Sequence, residues 1–197
     1  MRQPTLIGIV VGFIVLTAVF RLLELTRAPD KRVRLFRGGY WTDLAYWLFT
    51  PLVTRTATAI AVGIAVAPIA YLVWGRIDRD LIMHGFGPLA RLPILAQAAA
   101  MLVIGDFIGY WMHRAFHRGR LWRFHAVHHS SEQLDWLSSV RLHPVNDIVM
   151  RVAAAAPLLL TGLAPIALAG ITPLLTLFAI AIHANIDWDW GPLRAPS

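Results

Sequence analysis

Apolar runs long enough to cross a bilayer alternate along this chain with short stretches that gather its charges. Thr5 to Phe20 is uncharged, and Leu22 and Leu23 extend the run past Arg21, near the roughly 20 residues a spanning helix needs. An uncleaved helix is expected rather than a signal peptide, because no small-x-small cleavage site follows and further spans come later. Trp41 to Thr54 is aromatic and broken by Pro51, which predicts an interfacial or half-inserted helix, and Ala57 to Trp74 is an uncharged span. Gly75 to Arg91, which holds Arg76, Asp78, Arg79, Asp80, Gly85 and Gly87, reads as a loop, and Leu92 to Met112 as the next span. Val152 to Ile186 contains no Asp, Glu, Lys or Arg. As one helix it would extend roughly 50 Å, past a hydrocarbon core of about 30 Å, so Gly162, Pro165, Gly170 and Pro173 near its middle predict a hairpin of two short spans. The expected fold is an all-α polytopic membrane bundle of about four to five spans, one domain over residues 1–197.

Composition agrees with a membrane solvent. Hydrophobic residues make up 57% of the chain and the mean hydropathy is +0.60, above the roughly 45–50% apolar share of soluble domains. The formal charge of +7 would suit nucleic acid, but the cations sit beside the apolar runs, where they mark a cytoplasmic face and touch anionic headgroups. Arg27, Lys31, Arg32, Arg34 and Arg37 form one cluster; Arg114, Arg118, Arg120, Arg123 and Arg141 form another. With both inside, the N-terminus lies outside and the hairpin after Val152 returns the chain to the cytoplasm. Lys31 is the one lysine among 18 basic residues, and this Arg- and Ala-rich usage suggests a GC-rich bacterial genome and an inner-membrane location. There is no cysteine, so disulfides, thiolate-ligated haem and cysteine-held iron–sulfur clusters are excluded and a metal would need N and O ligands.

Six of the eight histidines lie between Asp106 and His143. A helical step of about 100° per residue carries Asp106, Tyr110, His113 and His117 onto one stripe. Beyond Gly119, His125, His128 and His129 at i, i+3, i+4 would share one side of a second short helix. The hairpin brings His183 to the same membrane face. Asp106 is an ionisable residue inside a span and therefore a candidate functional group, whereas His84 reads as a lone surface histidine. Neutral imidazole binds Zn, Cu, Fe and Ni, so spacing leaves the metal open. A zinc protease would need a glutamate between its histidines, and neither pair has one. Soluble di-iron bundles use glutamate ligands, of which this chain has only Glu24 and Glu132. Bis-histidine haem leaves the adjacent pair His128 and His129 unused, while an all-nitrogen site for two irons uses the whole set.

Asp106, Tyr110-Trp111, His113-x-x-x-His117, His125-x-x-His128-His129, Asp135-Trp136, Arg141-x-His143-Pro144 and His183-Ala184-Asn185, in this order, resemble the membrane fatty acid hydroxylase and sterol desaturase superfamily over roughly Trp41 to Arg194. The resemblance implies a lipid-modifying oxygenase with two histidine-held irons at the cytoplasmic membrane face, and His113, His117, His125, His128, His129 and His183 at the metal-binding positions. Asp106, Tyr110, Arg141, His143 and Asn185 match accompanying residues expected to orient imidazoles, Asp106 by accepting a hydrogen bond from His113, His117 or another of them. The implied reaction is O₂-dependent hydroxylation or desaturation of a lipid C–H bond. Electrons would come from an external NAD(P)H-linked donor, a reductase, ferredoxin or cytochrome, docking on the Arg-rich face. Members of the superfamily carry a further His-x-x-His-His box beyond the segment matching Asp187 to Arg194. Its absence before Ser197 implies a truncated member unable to complete a catalytic cycle, because two irons take about eight to ten ligand positions. The reading from another class is a non-catalytic metal-binding or scaffolding membrane protein.

Overall fold

The computed structural model describes residues 5–29 and 36–187. Helix α1 spans Leu6–Arg27 and is capped by Thr5, whose Oγ1 accepts the Gly8 N–H at 3.1 Å. Lys31, Arg32 and Arg34 of the first cationic cluster lie outside the described residues, as do residues 188–194 of the segment resembling the superfamily.

The expected break at Pro51 does not occur. Helices α2 (Tyr40–Phe49) and α3 (Arg55–Trp74) are joined by a π-helical turn over Thr50–Thr54, in which the Arg55 N–H reaches the Thr50 carbonyl. Proline lacks an N–H and its ring crowds the carbonyl four residues back; a wider turn relieves both while the axis continues. Tyr40 to Trp74 is therefore one apolar helix of 35 residues. At roughly 50 Å it is longer than the hydrocarbon core, so the interfacial segment and the span are one element.

The loop that follows holds α4 (Arg79–His84), with Asp78 Oδ1 accepting the N–H groups of Asp80 and Leu81. Helix α5 (Ile94–Phe116) is the next span and carries the first two histidines to its C-terminal end. The second histidine segment is not the single helix its spacing suggests. It is one α-turn, α6 (Trp122–His125), followed by a 3₁₀ turn over His128–Ser130, and a further 3₁₀ turn over Trp136–Val140 leads towards α7 (Pro144–Thr161).

The chain does turn back after Val152, but not as the expected pair of spans: the second limb is too short to cross. Gly162, at φ +75°, ends α7; a Cβ there would sit 2.4 Å from the Phe86 oxygen, and the Phe86 N–H donates to the Gly162 carbonyl at 2.9 Å. Only glycine allows this approach and this φ together. Buried Gln97 at the start of α5 fastens the same corner, donating to the Ala90 and Leu92 carbonyls and accepting the Ala164 N–H. The return limb is α8 (Thr172–Ala181), whose ten residues cover roughly 15 Å, half a bilayer core.

Among the described residues four helices are long and apolar enough to cross a membrane, and large apolar side chains point outward along them, Leu72 at 84% exposure and Ile7 at 77%. In water such surfaces would drive aggregation; in lipid they are ordinary contacts. The chain is an integral membrane protein, all-helical among the described residues. Inside, Trp136 is packed among Phe13, Phe20 and Trp47 at centroid distances of 5.8–6.0 Å, joining α1 and α2 to the 3₁₀ turn, with Ile180 of α8 in the same cluster. This core holds the histidine segment against the bundle.

Candidate metal centre

Chain separation and turn geometry divide the six imidazoles into four and two. His113 and His117 lie one turn apart at the end of α5, with Nε2 atoms 3.0 Å apart. His125 and His129 face them, Nε2 to Nε2 at 3.1 Å, and one ligand atom from each of the four lies within 4.8 Å of the others. His128 turns instead towards His183, just past α8, with their Nε2 atoms 3.2 Å apart. Ring centroids of His128 lie 5.4 Å from His129 and 5.6 Å from His125, so the two groups adjoin.

Hydrogen bonding fixes which nitrogen three of the rings turn inward. Nδ1 of His128 donates to the Arg141 carbonyl at 3.1 Å, and Nδ1 of His183 to the Ala179 carbonyl at 2.7 Å. A carbonyl can only accept, so both Nδ1 atoms carry the proton and both Nε2 atoms of the neutral rings present bare lone pairs. His125 Nδ1 is held in the same way by Asn146 Oδ1 at 3.0 Å. Lone pairs facing one another across 3.2 Å repel unless a cation lies between them. Adjacent nitrogens on one ion, at metal–nitrogen distances of about 2.1 Å, sit roughly 3 Å apart, which is the separation found in all three pairs. The residues therefore fit metal binding, and no carboxylate joins the four-nitrogen set among the described residues.

Electrostatics keep the donors available. Burial pushes His125 down to about 4, against the partial opposition of its bond to Asn146, and the neighbouring imidazoles push the same way. His128 and His129 are lowered too, chiefly by burial. These three rings are thus held as neutral ligands at ordinary pH. His113, His117 and His129 are exposed and His125 is buried, so the four-nitrogen set is anchored on one side and open on the other.

The residues expected to orient the rings divide. The Arg141 carbonyl is the one that meets His128 Nδ1. Asp106 is exposed and makes no hydrogen bond with an imidazole among the described residues; it lies seven residues before His113, roughly 10 Å along α5, beyond a carboxylate's reach. The Tyr110 hydroxyl accepts from Arg114 at 3.0 Å. His143 caps α7, its Nδ1 accepting the Val145 N–H at 3.1 Å, and its ring packs on Phe124. The Asn185 N–H donates to buried Glu24 Oε1 at 3.4 Å, which ties the stretch after His183 to α1. His84 is exposed, its Nδ1 on the Asp80 carbonyl, as a surface histidine should be.

Sequence reasoning missed Asn146, which no local pattern marks, and a buried ion network behind the second histidine segment. Arg37 donates to both oxygens of Asp135 and, at 2.7 Å, to Asp43 Oδ2; Arg141 Nε donates to the other oxygen of Asp43. Arg141 also reaches Ser130 Oγ at 3.1 Å and the Gly39 carbonyl at 3.2 Å. Asp43 is 0% exposed. Its signal was available: one acid in an aromatic, apolar helix.

The family model described as fatty acid hydroxylase matches residues 98–196. Ornithine lipid hydroxylase OlsE of Rhizobium tropici is 28% identical over 179 residues, covering 89% of this chain and 52% of that protein. A very-long-chain aldehyde decarbonylase of Oryza sativa subsp. indica is 31% identical over 100 residues, 50% of this chain and 37% of that protein. The chain thus spans about half, or less, of the length of these curated relatives. No solved structure matches.

Proposed function

Because the chain belongs to the fatty acid hydroxylase family, we propose that its six imidazoles hold two irons and that it oxidises a C–H bond of a membrane lipid with O₂. The observation that carries this reading is the division into a four-nitrogen set and a facing pair whose Nδ1 atoms are pinned to carbonyls. Iron activates O₂, which no side chain can do. The protein's part is to keep His125, His128 and His129 neutral by burial, and to aim rings through Asn146, the Arg141 carbonyl and the Ala179 carbonyl, while leaving one side of the cluster open. Hydroxylation is favoured over desaturation because the alignment that covers 89% of the chain is to a lipid hydroxylase.

The exposed Arg114, Arg118, Arg120 and Arg123 surround the histidines. They support a cytoplasmic orientation of the cluster, in a bacterial inner membrane, and docking of an acidic NAD(P)H-linked electron donor. The pair at His128 and His183 contributes two imidazoles against four at the other position, so we infer that, of the two, this position holds its iron the more weakly.

The test is ferrous-iron titration of protein in lipid nanodiscs, followed by O₂ and a reduced ferredoxin with its reductase. One iron per chain should survive gel filtration, and lipid one oxygen atom heavier should appear only as the second position fills. His183→Ala should abolish that product while keeping the first iron; His113→Ala should lose the first. Product at one iron per chain, or none at two, overturns the proposal.

A further inference from the structure

The stretch that follows His183 is held by α1, a helix that precedes the residues matched by the family model. The Asp187 N–H donates to the Arg27 carbonyl at 2.9 Å, and the Asn185 N–H donates to Glu24 Oε1 at 3.4 Å. The same Glu24 oxygen accepts the Trp136 N–H, also at 3.4 Å, where the 3₁₀ turn over Trp136–Val140 begins. One oxygen thus takes two backbone donors, 112 and 161 positions away from it in sequence. Glu24 is 4% exposed, and its other oxygen lies 3.7 Å from Arg21. A carboxylate inside a spanning helix is costly, and here it supplies the acceptor that two backbone N–H groups beside the Trp136 core require. Each donor leads to one ring of the facing pair. From Trp136 the turn runs to Arg141, whose N–H is bonded to the Ser138 carbonyl at 3.2 Å and whose own carbonyl holds His128 Nδ1. Asn185 stands two residues after His183, at a turn in which the Ile186 N–H reaches the Ala184 carbonyl at 2.8 Å.

We propose that Glu24 is a positioning residue for the His128–His183 pair: its carboxylate oxygen sets the separation of the two backbone segments that carry these rings, and with it the 3.2 Å between their Nε2 atoms. The proposal rests on the reading of His183 as a metal ligand. Glu24 acts through Trp136 and Asn185, since its hydrogen bonds go to backbone and not to a ring. Reach, not charge, is what the two N–H groups need from it. The contact with Arg21 is at 3.7 Å and partly exposed, and such a pair contributes little. The four-nitrogen set has no share in this clamp, because Asn146 holds His125 and α5 carries His113 and His117.

The test is Co(II) titration of the protein in lipid nanodiscs, with the His183-dependent step identified by its loss in His183→Ala. Glu24→Leu has similar size but no acceptor; it should weaken that step at least about tenfold, as loss of an orienting contact does, and leave the other step within about twofold. Glu24→Gln keeps an oxygen at the same reach and should bind within about twofold of wild type. Glu24→Asp keeps the charge but is one methylene short, and should weaken the step at least about threefold. A role resting on charge would reverse the last two, with Asp tolerated and Gln damaging, and that order overturns the proposal. So does a His183-dependent step unchanged in folded Glu24→Leu, the result expected of a merely structural residue, and so does loss of both steps together. Circular dichroism reports the fold, and if Glu24→Leu does not fold the order of the Gln and Asp variants decides. A wild type without a His183-dependent step would sink the reading of His183 as a ligand and this proposal with it, whereas a His183-dependent step that ignores Glu24 sinks the proposal alone.

Discussion

Replacing Asp43 by Asn should detach the second metal position from the first. Asp43 bridges two guanidinium groups, Arg37 at 2.7 Å and Arg141 through its other oxygen, at a site with no solvent exposure. Asn keeps the shape but loses the charge, and its amide turns a donor towards a guanidinium that can only donate. Arg37 then keeps Asp135, while Arg141 is left with the neutral acceptors Ser130 Oγ and the Gly39 carbonyl. Breaking a buried pair in this way costs about 3–5 kcal/mol, out of a total stability of about 5–15 kcal/mol for a domain, so the variant should insert and fold with a clearly lowered melting temperature. The local effect is more specific. Arg141 is the residue whose carbonyl fixes the His128 tautomer, and its guanidinium also holds Ser130 beside His129. Loss of such an orienting contact commonly lowers metal affinity about 10–100-fold. Affinity should fall at the His128–His183 pair, while His113, His117 and His125, held by α5 and by Asn146, keep the first ion. Titration of nanodisc-embedded protein with Co(II), read by visible absorption, separates the two binding steps, and circular dichroism reports the fold. A second step unchanged within about twofold in a folded Asp43→Asn protein would refute the reasoning, since the network would then be structural only. Loss of both steps together would refute it equally.

Asn146→Ala should free the His125 ring and weaken the four-nitrogen step about 10–100-fold with little loss of helix, because the side chain's one ring contact is to Nδ1; equal affinity in Co(II) titration would show that packing alone fixes His125. Metal-free protein should lose stability as pH falls from 6.5 to about 4: His125 stays neutral when folded but accepts a proton when unfolded throughout that window, so the unfolded state binds more protons. Stability is complete above pH 6.5 and the loss complete below about 4, with His128 and His129 adding in the same direction; a melting temperature that is flat or rises on acidification would contradict the burial of these rings. Gly162→Ala should cost more than about 1 kcal/mol, because a Cβ at φ +75° meets the Phe86 oxygen at 2.4 Å; an unchanged thermal midpoint would mean that the corner at Phe86 moves freely.

The sequence by itself determined the features whose physics is local. Uncharged run length against bilayer thickness placed the spans, and the charge-free stretch from Val152 to Ile186 could not be one helix, so the turn back was legible before any contact was known. The i, i+4 spacing of His113 and His117 likewise set their Nε2 atoms together, because one helix carries both. Where backbone geometry had to adjust, the pattern misled: Pro51 is absorbed by a π-turn, and the His125 to His129 spacing is carried by an α-turn and a 3₁₀ turn rather than one helix. Asp106, on the right stripe by periodicity, is out of reach by axial rise, which a wheel does not register. Only the tertiary structure decided that six imidazoles part into four and two, that Asn146 rather than Asp106 holds a ring, and that Arg37, Asp43, Asp135 and Arg141 meet. Asp43 and Arg141 are 98 positions apart, as are Arg37 and Asp135, and His128 and His183 are 55 apart. Pairing at such separations is set by how the helices dock, and the docking is driven by apolar packing around Trp136, which carries no information about the charges it brings together.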